Sequence, residues 1–252
     1  MIPLALWIIL GAPPYVFVAA VGLCAAFCTW ELLRMVYPEL RRLQILGALI
    51  ALAGFLVSRY AENNTDLIAV WTLLLMLLAI VGLLSLGKRS EYHSKVAWLL
   101  LPPFYIGLPL ITLAWLHAEP DGPQWVILAL TLAFVADTGG YIVGRLWGKD
   151  KLAPYISPNK TIQGALGGLG GSVLAALIAH AWYLPNIPLL NAIMLGIVGG
   201  ACGQAGDLFE SLIKRGFAVK DSSHLIPGHG GLLDRLDAVL FTSACTWLYV
   251  QL

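Results

Sequence analysis

Charge is scarce in this chain: only 12% of its 252 residues are Asp, Glu, Lys or Arg, against 59% that are hydrophobic. Soluble domains carry roughly a quarter charged residues, so this composition excludes a soluble globular protein and points to one embedded in lipid. The formal net charge of +1 says nothing about partners, and no nucleic acid is expected among them. Cysteine is sparse too. Cys24, Cys28, Cys202 and Cys245 all lie in apolar runs, at spacings that suit neither a zinc site nor a disulfide framework. Cys24 and Cys28 share a helical face and read as small buried apolar residues. The opening MIPLALWIILG looks superficially like a signal peptide, but it has no basic n-region and no small-x-small cleavage site, so one is not expected here. At ~1.5 Å per residue it would rise roughly 15 Å, half of the ~30 Å hydrocarbon core. It is expected to be a short or partly inserted helix, or the remnant of a longer span begun upstream. Low-complexity linkers, soluble insertions and 20–50-residue repeats are missing, so residues 1–252 are expected to form a single membrane-embedded domain.

What the chain does have is a succession of apolar runs, at about 14–33, 43–60, 67–86, 96–116, 124–145, 164–184, 187–205 and 236–252. The 43–60 run is the weakest, with Gly47, Gly54 and Ser58 inside it. With the N-terminal segment these give an all-α fold, a polytopic integral membrane bundle of about nine transmembrane or partly inserted helices. Of the 15 Lys and Arg, all but Arg59 fall in the loops after spans two, four, six and eight. By the positive-inside rule those loops are cytoplasmic. Glycines crowd 164–171 (GALGGLGG) and 196–206 (GIVGGACGQAG), so these two spans are expected to pack closely on each other. The same small-residue spacing leaves a homodimer open.

The exception to the scarcity of charge is Ser211–Asp237, SLIKRGFAVKDSSHLIPGHGGLLDRLD. A dense polar island in an apolar chain belongs at a water-facing site that does chemistry. Cations suit phosphate oxygens, carboxylates suit a hard metal, and glycines let backbone N–H groups approach a ligand. If the preceding helix continues, Asp207, Ser211 and Lys214 share one face; Asp234 and Asp237 share another at the start of the last span. Geometry alone leaves two readings level: helix-end charges turned to water, or three carboxylates converging on a metal–nucleotide site. Lys214, Arg215, Lys220 and Arg235 are either positive-inside anchors or phosphate contacts. A second polar segment runs from Asp137 to Gly164, and Asp137 itself lies within an apolar run, so it faces protein or water. Glu31, beside Trp30 at a span end, reads as a snorkelling interfacial acid.

The island reads Ser211, Lys214-Arg215, Lys220-Asp221, Pro227-Gly228-His229-Gly230-Gly231 and Asp234-Arg235-Leu236-Asp237. It resembles the signature of the phosphatidate cytidylyltransferases, the CDP-diacylglycerol synthases, with every signature position filled. The second segment is similar to the same family through Asp137-Thr138-Gly139, Tyr141, Gly144-Arg145 and Ser157-Pro158-x-Lys160-Thr161. Gln163 stands where members usually carry an acid, and Asn159 where a second lysine is frequent, which implies weaker phosphate attraction there. The likeness is strong over about 130–240, the expected catalytic region, and is only a similar helical profile before it.

The resemblance implies the reaction of CTP with phosphatidate to give CDP-diacylglycerol and pyrophosphate. It implies catalytic roles for Asp207, Lys214, Asp234 and Asp237, with Mg²⁺ on Asp207, Asp234 and Asp237 and a second, monovalent cation such as K⁺. It implies substrate contacts from Asp137, Arg145, Ser157, Lys160, Thr161, Ser211, Arg215, Lys220, Asp221, His229 and Arg235, and a bacterial inner-membrane protein whose site faces the cytoplasm. His224 falls at a variable position and reads as surface. Two rivals stay open: another CTP-dependent lipid transferase, and a membrane transporter. Against the transporter, the charges sit in loops at one face, whereas transporter sites lie near the midplane between repeats.

Overall fold

The computed structural model describes residues 2–59, 61, 64–86, 92–223 and 230–252. Among the described residues it forms α1 (Ile2–Leu10), α2 (Pro14–Val36), α3 (Arg41–Arg59), α4 (Asn64–Leu86), α5 (Tyr92–Pro102), α6 (Leu108–Leu116), α7 (Gly122–Trp147), α8 (Ile162–Trp182), α9 (Leu189–Gly216) and α10 (Leu233–Val250). Two short strands, β1 (Lys151–Ala153) and β2 (Ser157–Thr161), stand between α7 and α8.

Among the described residues, six helical stretches are long and apolar enough to cross a membrane: Pro14–Val36, Arg41–Arg59, Ala97–Leu116, Gly122–Trp147, Ile162–Trp182 and Leu189–Gly216. In α4 the described apolar stretch is the shorter Asp66–Gly82. The last helix opens with Asp234, Arg235 and Asp237, which dilutes its apolar character. At nine residues α1 rises about 14 Å, well short of the hydrocarbon core. Large apolar side chains such as Ile68, Leu73, Leu166 and Leu190 are exposed on these helices, as suits surfaces that meet hydrocarbon.

The described chain divides into two compact units. The first comprises 15–114 with 221–233. Here α3 packs against α4, and the glycines of the apolar run that looked weakest lie at its contacts, Gly47 under Leu33 of α2 and Gly54 under Leu74 of α4. Gln44 donates to the carbonyls of Tyr37 (2.7 Å) and Pro38 (3.3 Å), tying down the turn between α2 and α3. Pro102 and Pro103 bring no N–H to the helix they interrupt. A π-helical turn over Pro103–Gly107, in which the Leu108 N–H reaches the Pro103 carbonyl, absorbs the break and leads from α5 into α6.

The second unit comprises 1–14, 115–220 and 234–252. Its centre is the α7–α8–α9 layer, whose core joins Leu128, Leu132, Ala176, Ala179, Leu184, Ile187, Ala192 and Leu195. The α8–α9 contact expected from the glycines is present, but the seams are staggered. The 164–171 glycines turn mainly to α7, while Gly196 and Gly200 of α9 meet Val173 and Ser172 in the next turn of α8. At Gly139 of α7 an added Cβ would lie 2.7 Å from the carbonyl oxygen of Gly167, so only a residue without one permits this approach. Two sides of α8 are thus used, one for each neighbour. Phe241 of α10 packs near Phe209 of α9, ring centroids 6.3 Å apart, and His117 donates to the Ile9 carbonyl of α1 at 3.0 Å.

The antiparallel hairpin pairs Lys151 with Thr161 and Ala153 with Ser157, an addition to the all-α expectation. Its strands are only 3 and 5 residues long, and the chain folds back at the Ile156 N–H to Ala153 carbonyl bond of 3.2 Å.

Candidate active site

The site lies in the second unit, where the ends of three long helices and the hairpin carry nearly all its polar side chains. Because α9 continues unbroken to Gly216, Asp207, Ser211 and Lys214 do fall on one face. Ser211 Oγ donates to Asp207 Oδ1 at 3.5 Å, while Lys214 bonds back one turn to Glu210. Lys214 also donates to Asp234 Oδ1 of α10 at 2.5 Å. On the other side, Lys160 of β2 is paired with Asp207. A chain of alternating charge therefore runs Lys160–Asp207 and Glu210–Lys214–Asp234, joining the hairpin, α9 and α10.

Carboxylates outnumber these cations. Asp237 is buried, accepts from the Ala238 N–H at 2.7 Å, and lies within Coulombic range of Asp207, Asp137 and Lys214. Asp137 of α7 is in turn within range of Asp207, Lys160 and Arg235. Glu210 was not among the expected site residues, yet its side chain is 0% exposed and its second oxygen, Oε1, has no hydrogen-bond partner among the described residues. Its spacing of i, i+4 to Lys214 was the available signal. Five acids thus share two lysines and, at the edge, Arg235, a surplus of hard oxygen donors that fits a divalent cation. Among the described residues no three His, Cys, Asp or Glu side chains form a ready-made cage. Mg²⁺ does not require one, since one or two carboxylates with substrate phosphates suffice.

Beside this cluster is a cavity of about 590 Å³, lined by Asp137, Tyr141, Arg145, Ser157, Lys160, Thr161 and Asp207, with Gly140, Gly144, Gly164 and Gln204 among its walls. The helix glycines leave its wall thin and bring backbone close to the space. Arg145 donates to the Tyr141 hydroxyl at 2.8 Å and both are exposed. Thr161 caps α8, its Oγ1 accepting from the Gly164 N–H at 3.1 Å. Gln204, missed in the sequence, donates to the Ala165 carbonyl at 3.0 Å.

Gln163 resolves the departure noted in the sequence. Its carbonyl oxygen accepts from the N–H groups of Lys149 (3.0 Å) and Asp150 (3.2 Å), and its amide donates to Asp150 Oδ2 at 2.7 Å. A carboxylate could take the first two bonds but would repel Asp150. Here an amide completes the latch between the end of α7 and the start of α8.

Other expected site residues lie apart from the cluster. Arg215 turns to the hairpin and donates to the carbonyls of Ile156 and Val219, both at 3.2 Å. Lys220 and Asp221 are exposed in the loop after α9; Arg235, exposed at the start of α10, stays at the edge of the cluster, within Coulombic range of Asp137. His229, with His224, Pro227 and Gly228, lies outside the described residues.

Glu31 corrects the sequence expectation outright. It is not an interfacial snorkelling acid but a fully buried carboxylate within the first unit. It takes hydrogen bonds from Ser222, Ser223 and the backbone of Leu232 and Leu233. Its isolation near the end of an apolar span marked it in the sequence without saying which way it turns.

Helices of membrane-spanning length, with a pocket lined by Asp137, Asp207, Arg145 and Lys160, define a polytopic, largely helical membrane protein. More specifically, the chain belongs to the cytidylyltransferase family, whose sequence model matches residues 1–252. It is similar to the phosphatidate cytidylyltransferase of Bacillus subtilis, 36% identical over 243 residues that cover 93% of this chain and 87% of that protein. The phosphatidate cytidylyltransferase of Staphylococcus epidermidis is 33% identical over 219 residues, 87% of this chain and 84% of the relative. That of Synechocystis is 44% identical over a shorter 143 residues, 55% of this chain and 48% of the relative.

Proposed function

We propose that this protein is a phosphatidate cytidylyltransferase, joining CTP and phosphatidate to form CDP-diacylglycerol with release of pyrophosphate. The observation that carries this assignment is the cavity of about 590 Å³ whose walls hold Lys160 and Arg145, cations suited to phosphate oxygens, beside Asp137 and Asp207. In the reaction a lipid phosphate oxygen bonds to the α-phosphorus of CTP as the bond to the bridging oxygen breaks. That lipid oxygen is already anionic near neutral pH, so no strong base is called for. The demand is to hold two anions in line.

The chain supplies what that demand requires. Lys214, fixed between Glu210 and Asp234, offers its charge to the triphosphate. Lys160 and Arg145 receive the lipid phosphate, and its acyl chains remain along the apolar helix faces. Asp207, Asp234 and Asp237 would hold Mg²⁺, with a monovalent cation such as K⁺ beside it. The divalent ion supplies charge neutralisation at the triphosphate and the leaving pyrophosphate.

The same proposal includes nine membrane-spanning or partly inserted segments in a bacterial inner membrane, with the site at the cytoplasmic face, where the loops holding every Lys and Arg but Arg59 would lie. The test is purified protein in mixed micelles, assayed with CTP and a panel of phosphorylated lipids. Lipid-dependent pyrophosphate release with phosphatidate, lost in Asp234→Asn, is the expected result. Turnover with a different lipid alone makes it another CTP-dependent transferase, and no turnover with any lipid rejects the assignment.

A further inference from the structure

Glu31 lies far from the signature in sequence, in the N-terminal half of the chain. Yet it meets both ends of the loop that carries the signature glycines. Its Oε1 accepts from the Ser223 hydroxyl at 2.6 Å and the Leu232 N–H at 3.0 Å. Its Oε2 accepts from the Leu233 N–H at 2.7 Å and the Ser222 hydroxyl at 3.3 Å. Glu31, Ser222, Ser223 and Leu233 are all buried. The two backbone donors stand at the start of α10, where N–H groups have no intrahelical partner, so the carboxylate caps a helix from another part of the chain. Gly231 is fitted to this contact: a Cβ there would lie 2.5 Å from Glu31 Oε1 and 2.1 Å from Ser222 Oγ.

Asp234 follows Leu233 directly, and Asp237 comes one turn later. We infer that Glu31 is a positioning residue for the reaction: it clamps Ser222–Ser223 to Leu232–Leu233 and so fixes where α10 begins and where its two aspartates point. This rests on the functional assignment above. Glu31 touches no substrate and acts through the helix start. An error of about 1 Å in a catalytic group costs roughly 10²-fold in rate, and a helix whose first turn loses its cap frays over that distance.

Glu31→Gln is the informative change because it keeps shape and removes one kind of bond. Whichever way the amide turns, its NH₂ faces one hydroxyl, which can rotate to accept, and one backbone N–H, which cannot. Gly231→Ala presses on the same carboxylate without removing it. Hydrogen exchange would be followed in the substrate-free, full-length protein, on peptides containing Leu232 and Leu233, beside kinetics in mixed micelles. The expected result for both variants is faster exchange in those peptides and a kcat reduced by about 10²-fold. More Mg²⁺ should be needed for half-maximal rate, while the apparent KM for lipid changes less than about twofold, since the lipid-phosphate residues lie on α7 and β2. Ser223→Ala, which spares the backbone bonds, should be milder on every measure.

Unchanged exchange in Glu31→Gln overturns the clamp, whatever happens to activity. Faster exchange with unchanged kcat overturns the positioning role. Failure of the parent protein to turn over CTP with phosphatidate rejects the functional assignment, and with it the positioning role, while exchange still decides the clamp.

Discussion

Replacing Lys214 by methionine tests whether the site is held together by charge compensation. Lys214 keeps its length and packing as Met but loses the ammonium that bonds both Glu210 and Asp234. Side-chain exposures of 11%, 0% and 10% for Lys214, Glu210 and Asp234 leave little water to take over. Glu210 already has one oxygen without a partner among the described residues. Removing one member of a buried pair costs about 3–5 kcal/mol, because the remaining charge is stranded. At ~2–4 °C per kcal/mol for a protein of this size, the apparent Tm in detergent should fall by on the order of 10 °C. Adding Glu210→Gln removes the stranded carboxylate, so the double variant should recover about 1–3 kcal/mol relative to Lys214→Met. Activity should stay lost in both, since neither restores the cation offered to the triphosphate. Thermal scans of the four members of this cycle, with turnover measured on each, give the answer. A Lys214→Met loss below about 1 kcal/mol, or a double variant less stable than the single, refutes the compensation argument.

Lys160→Ala should raise the apparent KM for lipid mole fraction by about tenfold, the weight of one charged contact, and that for CTP by less; the reverse pattern in mixed-micelle kinetics assigns the hairpin to the nucleotide. Gly139→Leu drives a side chain into the Gly167 carbonyl and should cost at least about 1–3 kcal/mol, seen as lower yield and a depressed melting point; a normal melt contradicts the α7–α8 seam. Gln163→Glu sets a carboxylate against Asp150 and should cost about 1 kcal/mol, read as a depressed melting point that adding Asp150→Asn restores; an unchanged melt sinks the latch. With cysteines introduced at Pro120 and Lys220, an impermeant reagent in intact cells should label position 120 from outside and leave 220 unreacted; labelling of 120 from the cytoplasm alone inverts the orientation.

The helices were legible because hydrocarbon imposes a strong pattern: long apolar runs, broken by the few charges. Glycine spacing likewise announced close packing around α8. It did not say which neighbour each glycine meets: those of 164–171 turn mainly to α7, while Gly196 and Gly200 of α9 meet α8 at Val173 and Ser172. The hairpin was missed because Lys151–Thr161 is too short and too polar to alternate visibly, and its pairing depends on helices either side. The charged cluster was legible as composition and spacing, but not as connectivity. That Lys160 would meet Asp207, or that Lys214 would be shared by Glu210 and Asp234, requires three elements to be brought together. Glu31 was misread for the same reason. Its partners are about two hundred positions away, and a side chain near a span end looks the same in sequence whether it turns outward to water or inward to a loop.

The unbroken length of α9 has a consequence for the membrane this protein works in. Its 28 residues make a rod about 42 Å long, against a hydrocarbon core of ~30 Å. The surplus is absorbed by tilt or by standing proud of the bilayer, and tilt changes with lipid thickness. Asp207, Glu210 and Lys214 ride near one end of that rod rather than on a pliable loop. A thicker bilayer that draws α9 upright shifts all three together relative to the headgroup plane, with their mutual spacing kept. Turnover in bilayers of graded acyl length should therefore pass through an optimum, and the enzyme that feeds phospholipid synthesis would register the thickness of the membrane it helps to build.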